Sequence, residues 1–169
     1  ERVAALTAVG RAAAQSGLQA ISREAFQESM RLASQIPGYK ARVDATANLA
    51  VIRFLSGDRI GGVESFREAL KFAESLSSGQ QRRAAMESVM ERQLTAGERE
   101  AAEATLEQMR RRAEVLTDPK EQESERTTIM HWEAKLVTPQ LALDRAYAIQ
   151  GDDEKQAAAL AYAAYWVVH

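Results

Sequence analysis

The residues able to move protons or ligate metal are few. The chain carries two histidines, His131 and His169, and no cysteine, which excludes thiolate nucleophiles, thiolate zinc sites and disulfide frameworks. The one arrangement with ligand-like spacing is Glu87 and Glu91, placed i, i+4 on one helical face, with His131 further along. Two carboxylates and an imidazole could hold a divalent cation or share general acid–base work. No HExxH, phosphate loop, GxSxG or dinucleotide fingerprint accompanies them. They read better as solvated faces and as contacts for a partner's basic group. A protein without enzymatic activity, metal or cofactor is the expectation.

The arginine clusters Arg82-Arg83 and Arg110-Arg111-Arg112 raise nucleic-acid binding as an alternative. They sit among Glu100, Glu103, Glu107, Glu114 and Glu121, in a chain with 22 basic and 24 acidic residues. That balance gives no field to attract a polyanion. The arginines are expected in helix-surface ion pairs, and no nucleic-acid partner is expected.

The elements that must position these groups are helical. Apolar residues make up 46% of the 169-residue chain and charged residues 27%, enough for a core without compositional disorder. About a fifth of the residues are Ala, which loses no side-chain entropy in a helix and permits close helix contacts. No apolar run approaches the roughly 18 residues of a membrane span, so membrane insertion is not expected. The opening Glu1-Arg2 reads as a processed chain or a piece of a longer one. The absence of cysteine suits cytosol and periplasm alike, with the cytoplasm favoured.

One spacing of 40 residues organises the sequence. Gly17, Gly57 and Gly97 align, as do Phe26, Phe66 and Leu106, then Ala33, Ala73 and Ala113, then Ile36, Leu76 and Leu116. Between them run the rungs Val9/Leu49/Val89/Ile129, Gly10/Ala50/Met90/Met130 and Arg2/Arg42/Arg82. Within a unit the apolar spacing is helical, as in Phe66, Ala69, Leu70, Ala73 and Leu76. Each aligned glycine marks a left-handed helix end, and Asp58 or Glu98 after it favours the next start. Pro37-Gly38, Ser78 with Gln81, and Asp118-Pro119 with Glu121 mark the second break. The spacing therefore predicts helical hairpins, with helices over 1–16, 19–36, 39–56, 59–76, 79–96, 99–116, 119–137, 139–150 and 152–169. Units fall at about 1–36, 39–76, 79–116 and 119–150 of a single repeat domain. The helix over 152–169 is expected as a C-terminal cap.

At Asn48-Leu49-Ala50, Gly57-Asp58, Phe66 and Ala69-Leu70 the chain resembles the tetratricopeptide repeat. The first and third units match less fully, and the family's unit is shorter, about 34 residues. The resemblance implies an all-α solenoid, a right-handed superhelix of stacked antiparallel hairpins with about nine helices. It implies a non-enzymatic scaffold that holds a peptide or partner helix in a concave groove lined by the first helix of each hairpin. Carried over residue by residue, that groove presents Thr7 and Arg11, then Asp44, Ala47, Val51 and Phe54, then Glu87 and Glu91, then Thr127, His131 and Lys135. The Lys and Asn of carboxylate-clamping members are missing at those places, so a carboxylate clamp is not expected. An apolar middle beside Glu87 and Glu91 favours a partner with an apolar anchor and a nearby Lys or Arg. Two other readings are a self-associating structural segment and a regulatory domain that controls a separate enzyme. Tyr162, Tyr165 and Trp166 on the last helix form a candidate association face, which would join two copies as a homodimer.

Overall fold

The computed structural model describes residues 1–136. The helices expected over 139–150 and 152–169, with Tyr162, Tyr165 and Trp166, lie outside the described residues. Within those described, the chain is all-helical. It forms α1 (Arg2–Gln15), α2 (Gln19–Ser34), α3 (Tyr39–Leu55), α4 (Arg59–Glu74), α5 (Gly79–Thr95), α6 (Arg99–Val115) and α7 (Pro119–Leu136). These bounds follow the periodicity to within a few residues at each end. The chain divides into two compact units, Glu1–Arg126 and Thr127–His169.

The aligned glycines end α1, α3 and α5 in one way. Gly17, Gly57 and Gly97 have φ of 75°, 84° and 78°, a region in which a Cβ would be strained. The amide after each glycine donates far back into the helix, Leu18 to Ala13, Asp58 to Arg53 and Glu98 to Gln93, at 2.8–2.9 Å. The glycine amides donate to Ala14, Phe54 and Leu94 at 3.0 Å. This is the Schellman pattern, and it satisfies carbonyls the helix leaves open. At the starts, Asp58 accepts from the Gly61 amide at 3.0 Å, and Asp118 accepts from Lys120 at 2.8 Å. Ser78 caps α5 through the Gln81 amide. Glu98 stands at the N-cap of α6, where its charge favours the helix start. Its side chain makes no cap bond and reaches Arg59 at 2.8 Å instead, because a carboxylate one methylene further out than that of Asp does not fold back onto the first turn.

Within Glu1–Arg126, α1 packs on α2, α3 on α4 and α5 on α6. The partners run antiparallel, since Gly10 meets the Phe26 ring while Thr7 meets the Ser29 hydroxyl at 3.3 Å. Helix α3 also packs on α1, α2 and α5, and α5 on α4. This second set of contacts buries the rungs. Leu49 and Val89 are 1% and 0% exposed, whereas Val9, in the first helix pair, is 49% exposed.

The arginine rung has a structural role at these junctions. Arg42 Nε donates to the Ile36 carbonyl at 3.1 Å, and Arg82 Nε to the Leu76 carbonyl at 2.9 Å. Each guanidinium thus closes the end of the preceding helix pair, where carbonyls lack helical partners. Gln122, one period after Arg82, donates in the same way to Ala113 at 3.1 Å.

A buried pair of facing rungs changes chemistry from hairpin to hairpin. Ala13 and Ala25 occupy it between α1 and α2. Arg53 and Ser65 occupy it between α3 and α4, joined at 3.2 Å, and Gln93 and Thr105 between α5 and α6, joined at 3.0 Å. Arg53 is 7% exposed, and its Nε donates to Asp58 at 2.7 Å. A buried guanidinium is tolerable here because a carboxylate, a hydroxyl and the face of Phe26 surround it. Gly61 makes the room for it, since a Cβ there would overlap the guanidinium.

Candidate functional site

A cleft of about 590 Å³ opens across α1, α3 and α5, all within Glu1–Arg126. Small residues on the cleft-facing sides of α1 and α3, Ala4, Ala8 and Ala45, leave the space open, and Val3, Ile36, Leu49, Val51 and Ile52 give it apolar walls. Its volume lies in the range of about 300–1,000 Å³ typical of ligand pockets. Polar groups sit among these walls: Glu1, Thr7, Arg11, Asn48, Arg92 and Thr95. The Thr7 hydroxyl is engaged with the Val3 carbonyl at 2.8 Å. Arg11 is exposed and Arg92 half-buried, and neither side chain makes a hydrogen bond or ion pair among the described residues.

Of the residues assigned to a groove from sequence, Thr7, Arg11 and Val51 line this cleft together. Ala47 is fully buried. Asp44 lies in a separate small recess between α3 and α5, where it accepts from Lys40 and from the Ser88 hydroxyl, both at 2.7 Å. Phe54 stacks at 5.7 Å on Phe66 of α4, with the Arg59 guanidinium 5.6 Å from its centroid. Glu87 is half-buried and Glu91 exposed on α5, and neither is among the residues lining the cleft. Thr127, His131 and Lys135 are exposed on α7 in the second unit. There the Lys135 ammonium lies 4.6 Å over the ring of buried Trp132, and His131 meets that ring edge-on. Among the described residues no group of three or more His, Cys, Asp or Glu side chains converges as metal ligands would.

The clustered arginines are largely engaged with acids or carbonyls. Arg110 and Arg111 pair with Glu107 at 3.2 and 3.1 Å, Arg112 with Glu121 and Arg83 with Glu125, both at 3.4 Å. Arg92 of the cleft and buried Glu125 are two of the groups that counting along the sequence does not single out. Arg92 falls on the rung of Ile52, one position past the rung of Arg11, Val51 and Glu91. Glu125 falls on the rung of Ala5, Ala45 and Ala85, and a charge at a position otherwise small was the available signal.

Asp44 gives this face a pH dependence. Burial works against its ionisation, but hydrogen bonds from Lys40 and Ser88 and the nearby charges of Lys40 and Arg92 outweigh that and hold its carboxyl below the ordinary Asp range. Because the folded value is the lower one, the unfolded chain binds the proton more readily, and the contribution is complete above the ordinary Asp range. It is lost as the pH falls through the folded value. Thermal melts of the native chain and of Asp44→Asn should therefore converge on acidification, and a constant gap down to the acid limit would contradict this.

No protein-family model, curated protein or solved structure matches the chain.

Proposed function

We propose that the chain is a tetratricopeptide-like binding module: a right-handed solenoid of stacked hairpins that holds a segment of a partner protein and performs no catalysis of its own. The observation that carries this reading is the apolar cleft across α1, α3 and α5, the first helices of three successive hairpins. A concave apolar site with a few placed polar groups is the usual form of a binding site. The 40-residue repeat supplies the reason for it, since each hairpin adds one helix to the same side.

The test is to fill the cleft without disturbing the fold. Ala8 is exposed and lines the cleft, and Ala104 is exposed on α6 outside it. Ala8→Trp should abolish capture of partners by the immobilised chain, whereas Ala104→Trp, with a similar helix-propensity cost of about half a kcal/mol, should leave capture intact. Equal capture by both variants would refute the assignment.

A second reading, association through the outer face of the first hairpin, rests on Val9. It is 49% exposed where Leu49 and Val89 are covered. In that case sedimentation should show concentration-dependent association that Val9→Glu removes.

A further inference from the structure

We infer that the cleft selects a partner segment in which an apolar side chain stands beside an Asp or Glu carboxylate. This rests on the cleft being the binding site and names the chemistry it would take. The pair Glu87 and Glu91, read from sequence as groove residues, favours the opposite charge on the partner. Neither lines the cleft.

The charges that do line it are Arg11 from α1, Arg92 from α5 and the Glu1 carboxylate. The chain as a whole has a net charge of −2, so the cleft reverses the sign of the molecule locally. Among the described residues neither guanidinium has an acceptor. Arg92 Nε is buried without a hydrogen-bond partner among the described residues, and Asp44, whose carboxyl feels the Arg92 charge, is engaged by Lys40 and Ser88. A guanidinium held partly out of water and unpaired gains more from an arriving carboxylate than one on an open surface, because part of its desolvation has already occurred. Val51 and Ile52 of α3 line the same cleft, with Asn48 and Thr95 as further hydrogen-bonding groups. An apolar anchor would seat on Val51 and Ile52 while its neighbouring carboxylate meets a guanidinium. A basic neighbour would meet two like charges against the single Glu1 carboxylate, a balance that is repulsive.

The probes are three sets of fluorescein-labelled peptides that share their Leu and Ile positions and differ only in carrying Glu, Gln or Lys between them. Binding to the 169-residue chain is read by fluorescence polarisation at low and at high salt. The Glu set should bind more tightly than the Gln set and the Lys set least, and added salt should narrow the difference. Arg92→Gln should weaken the Glu set by about tenfold, the effect of losing one charge-assisted hydrogen bond. Arg11→Glu lies at an exposed position that the fold does not use, so it tests charge without risk to folding. It should shift the preference towards Lys. Equal binding of the three sets, or preference for Lys in the native chain, would overturn the charge selectivity and leave the cleft assignment standing. Failure of all three sets to bind at millimolar concentration would overturn both.

Discussion

Glu125→Ala is expected to lower stability by about 3 kcal/mol, read as a fall in the urea midpoint. Glu125 is 0% exposed and supplies the anion for a crowded cationic cluster. Arg83 donates to it at 3.4 Å, and Arg112 lies near enough for both Glu125 and Glu121 to act on it. Burial comes first among the influences on Arg112, and together with repulsion from Arg82 and Arg83 it holds that guanidinium below its ordinary value. Removing Glu125 takes from Arg83 its ion-pair partner and from Arg112 one of the two acids that act on it. Breaking one side of a buried pair costs about 3–5 kcal/mol. The lower end applies because the side chains of Arg83 and Arg112 keep 15% and 16% exposure and can turn partly to water. The charge interpretation has its own check. Replacing both partners, Glu125→Leu with Arg83→Leu, should recover most of the loss, whereas a double variant as unstable as Glu125→Ala would assign the effect to shape and not to charge.

Phe26→Ala should cost about 3–5 kcal/mol, the range for deleting a fully enclosed aromatic ring. The ring is 0% exposed, pressed against Gly10, with the Arg53 guanidinium 5.7 Å from its centroid. A Cβ at position 10 would stand 2.6 Å from two ring atoms, closer than packed atoms tolerate. Gly10→Ala is therefore destabilising in the native chain, because overpacking of about 1–3 kcal/mol outweighs the roughly 1 kcal/mol that Ala gains over Gly in a helix. With Phe26 already truncated, only the helical gain remains and Gly10→Ala should stabilise. The sign reversal across this double-mutant cycle is the signature of direct contact, and additive effects would show that the two positions do not share the space.

These two sites show how far the repeat carried the reading. Gly10 and Phe26 belong to rungs visible as a 40-residue ladder, and the Schellman ends at Gly17, Gly57 and Gly97 sit where the glycines alone placed them. Backbone rules act locally, so residue type and spacing suffice for them. Arg42 and Arg82 were visible as a rung without a role, since the carbonyls they close belong to a neighbouring helix pair. Arg53 and Glu125 were not recognised as buried. Whether a charge at a core position is satisfied depends on partners distant in sequence, such as Ser65 or Arg83. The Ala/Arg/Gln rung facing the Ala/Ser/Thr rung held a signal, because both turn polar in the same two hairpins.

The cleft was legible in part for a similar reason. Counting offsets from the Leu-Ala pair placed Thr7, Arg11 and Val51 on the cleft side, and the structure brings those residues together. On α5 the same count selected Glu91, whereas the lining residues are Arg92 and Thr95. A single position on a helix is about 100° of rotation, enough to exchange an acid for an arginine. The expected sign of the partner's charge follows from that one step.

If the chain holds its partner in the cleft across α1, α3 and α5, methyl-labelled NMR spectra recorded while the acidic-apolar peptide is added will show it. Val3, Ile36, Leu49, Val51 and Ile52 should shift together and saturate at one affinity, while Ile60, Val63 and Val115, which are exposed and outside the cleft lining, stay in place. Shifts confined to Ile60, Val63 and Val115 with the cleft methyls unmoved would contradict it.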